Sequence, residues 1–436
     1  MIPKPSLDPE RLLQELEQLA TYSDTPKPAV TRVVFSPPDL EARAYLTRLC
    51  REAGLSLRAD GLGNLFARWE GTAPELPAVA TGSHYDAVPY AGMYDGTVGV
   101  LGGLEAIRSL QRAGFQPKRS IELILFTAEE PTRFGIGCLG SRGLAGALVP
   151  DSLRELTDSE GRSLEELRQI AGYTADLDEV LLPEGFYHSF VELHIEQGPT
   201  LEQEQVPIGI VTAIAAPASL RVTLEGRGGH AGTVLMPERR DALCAAAEII
   251  LGVEAFAKNS GSINTVATTG LCEVYPNAVN SVPSQVRLEI DVRDVDPQRR
   301  DGVIRSIIQG VEQVGTRRGI DYNVQIVNLD PPAKSGTEVL RALASACGEA
   351  GVKFKPMVSR AYHDTLFMAR VCPTAMIFIP CRNGVSHRPD EYASPEDIAR
   401  GTYILALALA HLSYAEDKPS EEKPGAPKDS PPIFID

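Results

Sequence analysis

The chain has 436 residues, 43% hydrophobic and 23% charged, enough apolar material for more than one core and a length that corresponds to roughly two or three domains. Acidic side chains outnumber basic ones by 58 to 42, a formal net charge of −16, and no Lys/Arg-rich cluster interrupts the excess, which argues against nucleic acid as a partner. The most apolar stretch, residues 403–412, is about half a bilayer span, and Met1-Ile2-Pro3-Lys4-Pro5 lacks the apolar run of a secretory signal; the expectation is a cytoplasmic protein without a membrane partner.

In chain order, Leu12, Leu13, Leu16 and Leu19 after Asp8-Pro9 predict a helix over 9–21. A second amphipathic helix, 42–53, leads through Gly54 into short strands at 55–58 and 64–69. The apolar run 76–82 predicts a buried strand ending at Ser83-His84. After a Gly-rich turn, a helix over 98–113 stops at Gly114, and a strand over 121–127 stops at Ala128-Glu129-Glu130. Strand, helix, strand in this order predicts an α/β fold with parallel members. Residues 151–182 suggest two short helices, and 189–195 a strand running into His194-Ile195-Glu196-Gln197-Gly198-Pro199.

From about Thr212 the pattern changes. Residues 220–226 and 285–292 alternate like half-exposed strands around a long helix at 240–258. Residues 212–327 are therefore assigned to an inserted α+β domain that splits the first domain into 1–211 and 328–415. Helix and strand return at 336–350, 367–369, 374–379 and 394–415, and the proline-rich, charged segment 416–436 is expected to be a disordered tail. The seven cysteines form no CxxC pair and are expected to be reduced thiols.

Four apolar strands are expected to end in a metal-type ligand: His84, the pair Glu129-Glu130, His194 and His387, with Asp95 in the loop after His84. Loops at the carboxyl ends of parallel strands converge, so these residues can meet. Three histidines and two carboxylates are too many for one open zinc site, and fit two ions sharing a bridging carboxylate. Asp86, two residues after His84, can hold that imidazole's N–H and fix its tautomer. Adjacent acids at a strand end point in different directions. One of Glu129 and Glu130 can bind metal while the other moves a proton.

The strings Gly82-Ser83-His84-Tyr85-Asp86, Asp95-Gly96, Glu129-Glu130, His194-Ile195-Glu196-Gln197-Gly198-Pro199, Gly229-His230-Ala231-Gly232 and Ser386-His387, in this order, resemble the dinuclear-metal amidohydrolases that split ureido and carbamoyl groups. This group includes allantoate amidohydrolase and N-carbamoyl-L-amino-acid hydrolase. Glu129-Glu130-Pro131-Thr132-Arg133, Ala361-Tyr362-His363-Asp364 and Glu391-Tyr392-Ala393 look most like its ureidoglycolate amidohydrolase branch.

The resemblance implies an aminopeptidase-like metal-binding domain with an inserted lid domain that forms a homodimer. It implies two divalent ions, Mn(II) favoured and Zn(II) the alternative, with His84 and His194 on one, Glu130 and His387 on the other, and Asp95 between them. Glu129 would be the base, Asp86 a catalytic residue through its hold on the His84 imidazole, and His230 the oxyanion partner. Gln197, His230, Asn280, Arg293, His363 and Asp364 would bind a small anionic ureido substrate, ureidoglycolate first, as in purine-ureide catabolism. Allantoate or an N-carbamoyl amino acid is the alternative substrate. A peptidase or aminoacylase shares the ligands, and a non-catalytic metal-binding dimer is disfavoured because every position of the constellation is filled. Arg293 alone reads as a surface ion-pair residue; within the resemblance it grips the substrate carboxylate. Because −16 repels small anions at long range, Arg293 and the ions must supply local attraction.

Overall fold

Four apolar runs make the middle of one sheet. In the computed structural model, which describes residues 2–415, Thr374–Ile379, Tyr187–Ile195, Ala78–His84 and Ile121–Phe126 lie side by side, all parallel. They are buried almost throughout, as strands covered on both faces must be. Leu65–Trp69 and Ser56–Ala59 extend the sheet antiparallel at one side, and Ile208–Ile214 extends it at the other, carrying Ala333–Lys334 and Phe354–Ser359. The tail expected at 416–436 lies outside the described residues.

Strand periodicity divides the apolar side chains between two cores. Ile121, Leu123 and Leu125 pack with helices Pro9–Leu19, Pro37–Glu52, Thr97–Arg112, Thr337–Ala350 and Pro395–Ser413 on one face, while Ile124 and Phe126 pack with Leu139–Leu144 and Leu164–Ile170 on the other. Local signals set the helix starts. Asp8 accepts the Arg11 N–H at 3.1 Å and Ser394 accepts that of Asp397 at 3.1 Å, each with proline at the first helical position. The second helix begins at Pro37, earlier than the expected residue 42, because Ser36-Pro37-Pro38 is itself a start signal. The turn expected after His84 contains a strand, Ala87–Ala91, paired with Val30–Arg32.

Residues Ala216–Glu225, Val266–Tyr275, Gln285–Asp294 and Asp321–Leu329 form a separate antiparallel sheet, with Val266–Tyr275 and Asp321–Leu329 at its edges. Helices Ala242–Lys258 and Pro297–Arg318 close its own core, which includes Leu220, Val222, Ile249, Leu288 and Ile307. The chain stays in the large sheet through Ile214, where Ala213 and Ile214 pair with Lys334 and Ala333, so the change of sheet falls a few residues beyond 212 and 327. Arg300 ties the two crossings together by donating to the carbonyls of Ala216 and Asp330.

Candidate metal centre

Parallel strands decide where the ligands meet. Thr81 stands opposite Val191 in register, so three residues further along each strand His84 and His194 reach the carboxyl edge together. Glu129 and Glu130 follow Ile121–Phe126 through Ala128, whose φ is 53°. His387 departs from expectation. Its strand ends at Ile379, and the imidazole arrives on the loop beyond the turn Arg382–Gly384, at φ 58°.

Asp95 is the hub. Its Oδ1 lies 3.4 Å from His84 Nε2 and 3.1 Å from His194 Nε2, and its Oδ2 lies 3.3 Å from His387 Nε2. His387 Nε2 is also 3.2 Å from Glu130 Oε1. Two triples result, His84–Asp95–His194 and Asp95–Glu130–His387, sharing one carboxylate. Donor atoms about 2.0–2.1 Å from an ion at tetrahedral angles stand roughly 3.3 Å apart, so the spacing fits a divalent cation in each triple. A third cluster, Glu192–His194–His363, is not a competing site, since Glu192 accepts from the Ser83 hydroxyl at 2.7 Å and from the Thr365 N–H at 3.1 Å.

The imidazoles are held with Nε2 inward. His194 Nδ1 is 2.9 Å from the Ile195 carbonyl, and His84 Nδ1 is 3.2 Å from the Asp86 carbonyl and 3.5 Å from its Oδ1, which selects the tautomer that leaves Nε2 free for metal. Asp86 also accepts the backbone N–H groups of Glu129 and Glu130, at 3.1 and 3.0 Å. Gly96 donates to His194 Nε2 at 3.2 Å, and its φ of 66° and lack of a Cβ let the Asp95 turn close over the His84 ring.

Four carboxylates, Asp86, Asp95, Glu129 and Glu130, are buried here. Burial, then the neighbouring Glu130, Asp364 and Asp86, push Glu129 well above the usual carboxylate range, with His84 opposing. Burial acts the same way on Asp95, yet His194, His387 and His84 hold it well below that range. Asp95 and Glu130 push His387 up to about 11. Such a concentration of acid requires cationic compensation.

A cavity of about 690 Å³ opens above this cluster, a volume suited to a small ligand. His84, Asp95, Glu129, Glu130, His194, Gln197, His363 and His387 line its floor and Arg293 its far wall. Gln197, at φ 56°, donates to Asp95 Oδ2 at 2.7 Å, and its Oε1 is buried with no hydrogen-bond partner among the described residues. His363 packs edge-on against His194 with centroids 4.6 Å apart, and burial and His194 push its pKa well below the ordinary value. Arg293 pairs with Asp291 at 2.8 Å and donates to the Arg360 carbonyl at 2.8 Å.

Three expected substrate residues are elsewhere. Asp364 does not line the cavity; it is fully buried behind it, accepting from Ser141 at 2.5 Å, because it opens the helix Asp364–Met368 facing inward. His230 and Asn280 are exposed, outside the cavity, and adjacent, the Ala231 N–H donating to the Asn280 carbonyl at 2.8 Å. Glu391, which the sequence offers only as part of a motif with no role attached, belongs to the site. Its Oε1 accepts the N–H groups of Tyr94 and Asp95 at 2.8 and 3.1 Å, and Ser386 Oγ lies 3.0 Å from its Oε2 and 2.6 Å from Asp95 Oδ2. It locks the Asp95 turn to the His387 loop. Arg142, which makes a buried bidentate pair with Asp330 at 3.1 and 2.6 Å, was missed as well.

Residues 80–411 match the model of peptidase family M20/M25/M40. Ureidoglycolate hydrolase of Oryza sativa subsp. japonica is 53% identical over 412 residues, 93% of this chain and 85% of that protein. Allantoate amidohydrolase of Escherichia coli is 34% identical over 92% of this chain and 97% of its own length. The crystal structure of AtUAH in complex with (S)-hydroxyglycine is 52% identical and superposes with a TM-score of 0.85 over 94% of this chain and 99% of that one; AtUAH in complex with glyoxylate gives the same values.

Proposed function

The chain belongs to peptidase family M20/M25/M40, and we propose that it is a metal-dependent amidohydrolase whose substrate is ureidoglycolate. The observation that carries this reading is the pair of ligand triples sharing Asp95, set in a chain 53% identical to a ureidoglycolate hydrolase. Overall, ureidoglycolate and one water become glyoxylate, two ammonia molecules and carbon dioxide. The (S)-hydroxyglycine and glyoxylate held by AtUAH correspond to the fragment left when the ureido carbonyl departs, before and after it loses its nitrogen.

His84 and His194 would hold one ion, Glu130 and His387 the other, with Asp95 bridging. Imidazole and carboxylate donors without thiolate suit Zn(II), Mn(II) or Co(II); the family resemblance puts Mn(II) first, with Zn(II) the alternative. Bound there, the ions supply Lewis acidity and an acidified water. Glu129, on the cavity floor and not needed as a ligand in either triple, takes the proton from the attacking water and delivers it to the leaving nitrogen. Arg293 grips the substrate carboxylate, and the unpaired Gln197 Oε1 accepts an N–H of the ureido group.

His230 and Asn280 complete the site from a second copy of the chain. The unpaired edge Val266–Tyr275 runs directly into the Asn280 segment, and exposed Leu251, Ile263, Val266, Tyr275 and Val279 flank it, a surface suited to strand-to-strand association in a homodimer. His230 from the partner would then stabilise the developing oxyanion. No helix among the described residues is long and apolar enough to cross a membrane.

The test is ammonia release from ureidoglycolate, allantoate and an N-carbamoyl amino acid by Mn- and Zn-loaded enzyme. Ureidoglycolate should give the highest kcat/KM; a preference for either of the others would replace the substrate assignment.

A further inference from the structure

Moving a proton from one oxygen of a carboxylate requires that the group be held in one rotation. The backbone of Glu129 is fixed by Asp86, but this leaves the side chain free to turn. Its Oε2 faces His84 Nε2 at 3.8 Å, and its Oε1 lies 3.2 Å from the thiol sulfur of Cys138, which donates to it. Cys138 is fully buried, and burial, then Glu129 and Asp364, push its thiol well above the ordinary range. It therefore remains an S–H donor.

The thiol is mounted on a stiff element. Cys138, at φ 56° and ψ 36°, precedes the helix Leu139–Leu144. The N–H groups of Cys138, Leu139 and Gly140 donate in turn to the carbonyls of Glu129, Ala128 and Thr127, at 2.6, 2.8 and 2.8 Å. Ser141 binds Asp364 and Arg142 binds Asp330 from the same helix. Cys138 thus grips Glu129 twice, once at its carbonyl and once at its carboxylate.

We propose that Cys138 is a positioning residue for this reaction, its S–H fixing Oε1 of Glu129 so that Oε2 is the oxygen presented to the ligand cluster. A thiol is a weak donor, so it orients the carboxylate while drawing little electron density from it. The proposal rests on the reading of Glu129 as the proton carrier, and its test separates the two.

In the full-length metal-loaded enzyme, Cys138→Ala should lower kcat for ureidoglycolate about tenfold, a small part of the roughly 10²- to 10⁴-fold that a positioned base supplies. KM and metal content should stay within about twofold, since the thiol touches neither substrate nor an assigned ligand. Cys138→Ser, which keeps a donor, should recover kcat to within about threefold of the parent. In a Glu129→Gln background, Cys138→Ala should have no further effect on kcat. Unchanged kcat in Cys138→Ala, a Ser variant as slow as Ala, or an equal loss in the Gln background would each overturn the proposal. Near-normal turnover of Glu129→Gln alone would remove the base reading, and the proposal with it. Should the Ala variant not fold, Cys138→Gly deletes the same thiol and suits the positive φ.

Discussion

Replacing Gly96 by alanine tests the metal geometry at its tightest point. A Cβ there would stand 2.5 Å from both Cε1 and Nε2 of His84 and 2.6 Å from Cδ2. Ordinary carbon contacts begin near 3.4 Å, so the ring would have to retreat by about 0.9 Å, whereas a metal–nitrogen bond tolerates about 0.2 Å. Retreat is blocked because His84 Nδ1 already rests 3.2 Å from the Asp86 carbonyl. The backbone adds its own penalty: φ 66° with ψ −45° costs a Cβ-bearing residue on the order of 1–3 kcal/mol. The N–H that meets His194 would shift as well. Gly96→Ala should therefore weaken the ion held by His84 and His194 by about 100-fold or more, while Glu130 and His387 keep theirs. The assay is metal content by plasma mass spectrometry after dialysis against buffered free Mn(II), with thermal melts to confirm the fold. Bound metal should fall toward one equivalent per chain. Two ions held with parental affinity would refute the assignment of His84 as a ligand.

Four further outcomes are expected. Glu129→Gln should keep its metal and lose about 10²- to 10⁴-fold in kcat, which steady-state ammonia release will report. Mixing that variant with His230→Ala should restore roughly a quarter of parental activity, because half of the dimers are then mixed and each of these contains one complete site of two; no recovery on mixing would place His230 within its own chain. Arg293→Lys, which loses the bidentate fork, should raise KM about tenfold for carboxylate substrates and little for neutral amides; equal shifts would remove Arg293 from carboxylate recognition. Asp330→Asn should destabilise the fold at pH 7 by about 3 kcal/mol, since it strands buried Arg142. Burial disfavours the Asp330 charge, but Arg142 more than offsets this and holds its pKa below 3.8. Its stabilising contribution is therefore present above that unfolded value and lost as pH falls through the folded one. The difference in melting temperature between variant and parent should shrink below about pH 4; a constant difference would show that the pair contributes no charge-dependent stability.

Much of the centre was legible because its ligands sit where periodic apolar runs stop. His84 and His194 are the last and penultimate residues of buried parallel strands, so pattern and chemistry coincide there. His387 was identified by residue type and motif; its path, a loop well past Ile379, leaves no periodic trace. Glu391 was illegible for a different reason. In Pro389-Asp390-Glu391-Tyr392 it has the sequence character of a solvated acid, and only tertiary contact across 296 residues makes it a buried acceptor for the Asp95 N–H. Asp364 was misjudged because adjacency to His363 says nothing about which way a helix-opening residue turns. In the small sheet, edge strand Asp321–Leu329 and helix Pro297–Arg318 lack the apolar runs that mark the large one.

The Ser386–Glu391 lock has a consequence for how this chain matures. The carboxylate shared by the two ligand triples is set by groups that lie near the far end of the polypeptide, and the His194 strand completes its pairing only against Thr374–Ile379. A nascent chain that has emerged through the second sheet therefore carries its acidic side chains without the parts that aim them. The cluster is therefore complete only after the C-terminal quarter has docked, through contacts of long sequence separation, the kind that form slowly. Any truncation ahead of Glu391 removes both this lock and the helix Pro395–Ser413 that closes one of the two cores.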